Sequence, residues 1–191
     1  MEFVKQFIPE VIVVKPEVHG DSRGYFVETF RQDLLEEVLG YTVNFVQDNE
    51  SKSSKGVLRG LHFQLGPYAQ SKLVRVIEGA VLDVAVDIRQ GSETFGQHVS
   101  VELTGENKKQ VFVPRGFAHG FIVLSDKATF AYKVDNYYSP KCDRGLAFDD
   151  PKLNIDWRLP TKELKLSDKD TRQPSFSEFM ECFKITQNGY A

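Results

Sequence analysis

The clearest periodic signal lies between residues 82 and 88, where Leu82, Val84, Val86 and Ile88 alternate with Asp83, Ala85 and Asp87. A period of two sends successive side chains to opposite faces and predicts a β-strand. Shorter runs of the same kind predict strands over residues 25–30, 43–47, 57–63, 73–77, 99–103, 111–113, 120–124 and 129–134. Gly20-Asp21, Gly66-Pro67, Gly91-Ser92, Gly105-Glu106 and Ser139-Pro140 punctuate them. Many short strands between Gly and Pro turns imply an all-β sandwich or barrel. Helical spacing occurs twice. Leu34, Leu35 and Val38 share a face over residues 31–38, and Phe176, Phe179, Met180 and Phe183 follow the i, i+3, i+4, i+7 rule. Residues 186–191 carry no pattern and are expected to fray. No repeat, low-complexity tract or linker interrupts the chain, so one domain over residues 1–191 is expected, with the tail from about residue 177 unassigned.

Composition narrows the function classes. A chain of 191 residues buries enough surface, roughly 70%, to need no disulfide or metal staple. Lysine and arginine total 24 against 27 acidic residues, a net charge of -3, which argues against a nucleic-acid-binding face. Two cysteines, Cys142 and Cys182, are too few for a disulfide framework. The N-terminal segment lacks the features of a signal peptide, and no apolar stretch approaches the ~20 residues that span a bilayer. A cytoplasmic protein is expected. The only histidines are His19, His62, His98 and His119, so a His-rich metal site would need nearly all of them.

Candidate chemistry concentrates in a few segments. Residues 56–64 (Gly-Val-Leu-Arg-Gly-Leu-His-Phe-Gln) place five residues between a glycine and His62 and resemble the first cupin motif. Residues 114–119 (Pro-Arg-Gly-Phe-Ala-His) resemble the second. The resemblance implies a cupin-type double-stranded β-helix, or jelly roll, with a few short peripheral helices. Metal-binding cupins continue with a second histidine and a downstream glutamate. Here Gln64 and Gln70-Ser71-Lys72 stand in that region; a neutral amide is a poor transition-metal ligand and a lysine repels a cation. A metal-free cavity faced by His62 and His119 is expected. Strict alternation would send Arg59 and His62 to opposite faces, unless a bulge at Gly60 changes the phase.

Other residues suit an anionic, aromatic ligand. The guanidinium groups of Arg23 and Arg59 match the oxygens of a diphosphate. Phe26 could stack on a base whose edge Glu28, Gln47 and Asn49 could read. No glycine-rich phosphate loop is present, so phosphate binding would rest on side chains. A tyrosine hydroxyl at Tyr132 could donate a proton across a cavity from a base. In Leu166-Ser167-Asp168-Lys169-Asp170, either Asp168 or Asp170 could orient a histidine ring.

Ser22-Arg-Gly-Tyr-Phe-Val-Glu28, Gln47-Asp-Asn49, Val57-Leu-Arg-Gly-Leu-His-Phe-Gln64, Lys72-Leu-Val-Arg-Val76, Val113-Pro-Arg-Gly-Phe-Ala-His-Gly120, Tyr132-Lys133, Tyr137-Tyr-Ser-Pro140, Asp149-Asp-Pro151, Ile155-Asp-Trp157 and Leu166-Ser-Asp-Lys-Asp170 occur in that order. Together, over residues 3–176, they resemble the dTDP-4-dehydrorhamnose 3,5-epimerases, metal-free cupins of deoxysugar biosynthesis. The resemblance implies double epimerisation of dTDP-4-dehydro-6-deoxy-glucose, a dTDP-4-keto-6-deoxysugar, without cofactor or metal. It implies His62 as base, Asp170 as its orienting carboxylate, Tyr132 as acid and Lys72 as the group that stabilises the enolate. By the same resemblance Arg23 and Arg59 would hold the diphosphate, and Phe26, Glu28, Gln47 and Asn49 would surround the thymidine. His119, Tyr138, Lys169 and Asp143 would complete the substrate shell; Asp143 stands where the family commonly has glutamate. A strand-exchanged homodimer is implied as well, each pocket drawing on both subunits. A relative acting at one carbon would keep the same base and acid, whereas a sugar-nucleotide-binding cupin without activity would need neither.

Overall fold

The structure, a computed structural model, describes residues 1–182. In chain order its strands are β1 (Glu2–Lys5), β2 (Ile12–Lys15), β3 (Val18–Asp21), β4 (Gly24–Val27), β5 (Gln47–Ser54), β6 (Leu58–Gln64), β7 (Lys72–Glu78), β8 (Ala80–Asp87), β9 (His98–Thr104), β10 (Gln110–Val113), β11 (Phe117–Val123), β12 (Lys127–Val134) and β13 (Asp143–Gly145). Helix α1 covers Gln32–Leu39 and α2 covers Phe176–Cys182, with 3-10 turns at Thr161–Glu163 and Asp170–Arg172. Six strands pair in the order β1-β2-β10-β7-β12-β5 and five in the order β13-β6-β11-β8-β9, while β3 and β4 form a separate hairpin. The pairings are antiparallel, the arrangement expected of a jelly roll.

Three apolar layers follow from the alternation. Val74, Val76, Val111, Val113 and Phe130 of the larger sheet pack against Val81, Ala85, Val99, Phe117 and Phe121 of the smaller one. The outer face of the smaller sheet, with Leu82, Val84, Val86 and Ile122, is covered by Leu146, Leu153, Trp157, Phe176 and Phe179. The outer face of the larger sheet, with Ile12, Val14, Leu73 and Phe112, is covered by Leu35 of α1 and by Val43. Both faces of β8 are therefore covered, and its aspartates go into the interior rather than to water. Asp87 is fully buried and accepts hydrogen bonds from Arg89, Ser92 and Thr94.

The helices agree with their spacing. Gly40 ends α1 in the left-handed region (φ +76°), its N–H donating to Glu36. Ser175 and Glu178 close a capping box ahead of α2; the expectations for Phe183 and residues 186–191 fall outside the described residues. Two strand expectations need correction. Residues 43–46 precede β5 and lie outside any strand, because Val43 and Phe45 serve as a lid on the outer face of the larger sheet. The strand expected over residues 25–30 stops at Val27. Strand β5 is almost wholly polar and was invisible to apolar periodicity; it is an edge strand held by its ladder to β12, from Gln47 opposite Val134 to Ser54 opposite Lys127.

Candidate active site

The segment that carries Arg59 and His62 solves the phase problem with a bulge. His62 lies opposite His119 and Arg59 opposite Phe121, so β6 takes three steps where β11 takes two. The extra residue turns both Arg59 and His62 toward one cavity. Gly60 sits at φ +134°. A Cβ there would come 2.5 Å from the Gly120 Cα and 2.9 Å from the His119 carbonyl oxygen, so only glycine fits.

That cavity, about 620 Å³, lies between the two sheets. The smaller sheet contributes Arg59, His62, His119 and Phe121, and the larger contributes Asn49, Ser51, Lys72, Phe130 and Tyr132. Leu166, Ser167 and Asp170 close one side. This closing segment is strapped to the start of β6: Leu58 N–H donates to the Lys165 carbonyl at 3.0 Å, and Lys165 N–H donates to that of Gly56 at 2.8 Å.

Two histidine–carboxylate pairs face each other across the β6–β11 ladder. His62 Nε2 is 2.5 Å from Asp170 Oδ1, and His119 Nε2 is 2.8 Å from Asp83 Oδ2. Burial alone would raise the Asp170 carboxyl, but hydrogen bonds from His62 and Ser167 outweigh it and hold it below its ordinary value. Of the two candidate carboxylates near His62, Asp170 makes the contact; Asp168 is exposed and lies beside Arg172. Burial pushes His119 down, and the opposing pull of Asp83 does not restore it.

The Lys72 ammonium has no hydrogen-bond or ion-pair partner among the described residues. Burial lowers it to about 8 against the attraction of Asp83 and Asp143. Tyr132 is raised by burial, with the Arg59 charge opposing, so its phenol keeps its proton at neutral pH. Arg59 is held by its Nε, which donates to Ser53 Oγ at 3.3 Å.

Beside the cavity stands a second polar cluster. Tyr138 donates to Asp143 Oδ2 at 2.9 Å, and Lys169 pairs with the same oxygen. The hydrogen bond with Asp143 raises the Tyr138 phenol. Gln64, at the position of a metallocupin's second histidine, has its amide committed to backbone. It donates to the carbonyls of Tyr68 and Tyr137 and accepts from Ser139 N–H at 2.6 Å. It therefore pins the loop that carries Tyr138. Among the described residues no group of three or more His, Cys, Asp and Glu side chains is arranged to hold a metal ion.

Besides Tyr138, Asp143 and Lys169, four more residues singled out from the sequence do not line the cavity within one chain. Gln47 supports it indirectly, donating its amide to Asn49 Oδ1 at 2.8 Å. Arg23 and Phe26 lie on the β3–β4 hairpin, where Arg23 pairs with Asp21 and Phe26 is 69% exposed. Glu28 follows that hairpin and is exposed 4.0 Å from Arg31. Sequence reasoning missed Asp83 and Ser53, whose signals were only a carboxylate in an alternating strand and a serine in a polar run.

A family profile described as dTDP-4-dehydrorhamnose 3,5-epimerase matches residues 5–178. The chain belongs to that family. It is 54% identical over 176 residues to the dTDP-4-dehydrorhamnose 3,5-epimerase of Shigella flexneri, covering 92% of this chain and 96% of the relative. The crystal structure of a dTDP-6-deoxy-D-glucose-3,5-epimerase from Legionella pneumophila, in complex with dTDP-4-keto-L-rhamnose, superimposes with a TM-score of 0.88. The two are 50% identical, with 91% of this chain and 92% of that one covered. A 3'-monoepimerase from Streptomyces bikiniensis in complex with dTDP-quinovose is more distant, at 32% identity and a TM-score of 0.84 over 91% of this chain and 87% of that one. The family assignment agrees with the mainly antiparallel β architecture and with the family likeness seen in the motifs. Among the described residues no helix is long and apolar enough to cross a membrane.

Proposed function

We propose that this chain inverts C3 and C5 of dTDP-4-dehydro-6-deoxy-glucose to give dTDP-4-dehydro-L-rhamnose. The observation that carries the reading is the placement of His62 and Tyr132 on opposing sheets around one cavity that also holds the unpaired Lys72 ammonium. Protons on C3 and C5 are acidified by the C4 ketone between them. In a gluco-configured ring both project axially from the same face, so one base can serve both and one acid can serve the other face.

The residues suit that sequence of events. Nε2 of His62 is held by Asp170, which leaves Nδ1 to take the substrate proton. The C–H electron pair moves into an enolate whose oxygen is stabilised by Lys72. The imidazolium that forms is stabilised by Asp170. Tyr132 then delivers its hydroxyl proton to the carbon from the opposite face, and the Arg59 charge stabilises the phenolate until solvent reprotonates it. The imidazolium returns its proton to solvent, and the cycle repeats at the second carbon. No step changes the oxidation level of the sugar, so no redox cofactor enters.

Ligand binding completes the reading. Arg59 holds the diphosphate, Asn49, positioned by Gln47, meets the thymidine, and His119, Tyr138, Asp143 and Lys169 line the sugar subsite. Arg23, Phe26 and Glu28 reach such a site from the hairpin of a second copy in a strand-exchanged homodimer. Support comes from the hairpin itself, which forms a sheet of its own and exposes Tyr25 and Phe26. A nucleotide-sugar substrate supports a cytoplasmic location for the enzyme. The test is the reaction of dTDP-4-dehydro-6-deoxy-glucose in D₂O, with the product read by NMR. Deuterium at both C3 and C5 is expected. Deuterium at one carbon would make the chain a single-position epimerase, and deuterium at neither would defeat the proposal.

A further inference from the structure

We infer that Ser167 is a positioning residue for proton transfer, locking the Asp170 carboxylate in register with His62; the inference rests on the epimerase reading above. Asp170 is 4% exposed and sits on the strap that closes the cavity. Its two oxygens have separate partners: Oδ1 faces His62 Nε2 at 2.5 Å, and Oδ2 accepts the Ser167 hydroxyl at 2.7 Å. The same Ser167 Oγ accepts the Asp170 backbone N–H at 3.2 Å. One hydroxyl thus grips both the main chain and the side chain of the residue it orients.

Neighbouring groups leave this role to Ser167. Lys169 is turned to Asp143, and Asp168 lies beside Arg172. Among the described residues, the Asp170 carboxylate has no side-chain hydrogen-bond partner other than His62 and Ser167. Without the hydroxyl, Asp170 could rotate about Cβ–Cγ and exchange the oxygen it offers. His62 would then lose the single geometry that keeps the proton on Nε2 and the lone pair of Nδ1 on the cavity side. Ser167 is itself exposed, so removing its hydroxyl opens no hole in the core, and the position is open enough to take a threonine.

The experiment compares Ser167→Ala, Ser167→Thr and His62→Asn with the unaltered full-length enzyme. Measured quantities are kcat, KM, the melting temperature and the His62 tautomer by nitrogen NMR. Ser167→Ala is expected to lower kcat by about 10- to 100-fold, the range for losing a hydrogen bond to a charged group. KM should stay within about twofold, because the hydroxyl acts on the chemical step. The His62 signal should change from one tautomer to a mixture, and Ser167→Thr should restore both rate and tautomer; a fall of a few degrees in melting temperature is expected as well, since a bond to a buried carboxylate is lost. A wild-type kcat in Ser167→Ala, or a loss that threonine does not restore with the tautomer unchanged, overturns the inference. If His62→Asn is inactive while Ser167→Ala turns over normally, only the role of Ser167 falls. If His62→Asn remains active, the assignment of His62 as base falls and the role of Ser167 with it; if the unaltered enzyme does not turn over the substrate, the epimerase reading falls.

Discussion

Lys72 carries a positive charge into a cavity that offers its ammonium no hydrogen-bond partner among the described residues, and folding has to desolvate it. Lowering the amine from 10.5 to about 8 corresponds to a cost of up to about 3 kcal/mol at neutral pH. The side chain is half-buried rather than sealed off, and water in the cavity screens part of that, leaving about 2 kcal/mol. Lys72→Met removes the charge while filling the same space with an unbranched apolar chain. The variant should therefore be more stable than the parent and lack epimerase activity, the trade expected where a site keeps a destabilising group for its chemistry. For a domain of this size, about 2 kcal/mol raises the melting temperature by roughly 4–8 °C at pH 7. The pH dependence separates this cause from better packing. Between pH 8 and 10.5 the unfolded chain holds a proton that the folded lysine has already lost, so the penalty is complete below pH 8 and fades as pH approaches 10.5. The gain in Lys72→Met, measured by calorimetry against the parent at each pH, should shrink over that interval. An unchanged or lower melting temperature at pH 7, or a gain independent of pH, would refute the reasoning.

The same amine shapes the rate. Loss of its proton removes the charge that stabilises the enolate, so kcat/KM should decline on the alkaline side with a midpoint near pH 8; a profile flat to pH 9.5 would contradict this. Gly60→Ala would drive a Cβ into the Gly120 backbone at 2.5 Å from a glycine held at φ +134°. It should cost about 2 kcal/mol or more in denaturant unfolding and lose activity as Arg59 and His62 leave a common cavity.

Much of the fold was legible because strand periodicity reports burial directly. The run from Leu82 to Ile88, the β12 segment and the α1 face formed where the spacing placed them. What escaped was whatever depended on another strand. The polar residues of β5 pair through backbone groups that carry no sequence signal, whereas Val43 and Phe45 are apolar because they cover a sheet rather than join one. Asp83 looked like a wet residue in an alternating strand, and only the fold reveals that His119 lies against it.

The site divides in the same way. The bulge at Gly60 could be posed from the three-residue spacing of Arg59 and His62, and its register was then found in the β6–β11 ladder. Residue types alone left Asp168 and Asp170 open; the family likeness pointed to Asp170, and it is Asp170 that the strap brings to His62. Arg23, Phe26 and Glu28 could be read as ligand-facing types, but within one chain they stand away from the cavity, on and after a hairpin whose placement no residue spacing encodes. Gln64 was read as a lost metal ligand; its amide is in fact a backbone clamp on residues 137–139.

The central claim is that base and acid work from opposite walls, and Tyr132→Phe tests it most directly. The variant is incubated in D₂O with dTDP-4-dehydro-6-deoxy-glucose, and recovered sugar is examined by NMR for both deuterium content and configuration. With His62 intact and the acid removed, deuterium should enter at C3 or C5 from the base's own face, leaving the gluco configuration unchanged and little inverted product. Inversion at the parent rate in Tyr132→Phe would contradict the assignment of the two walls.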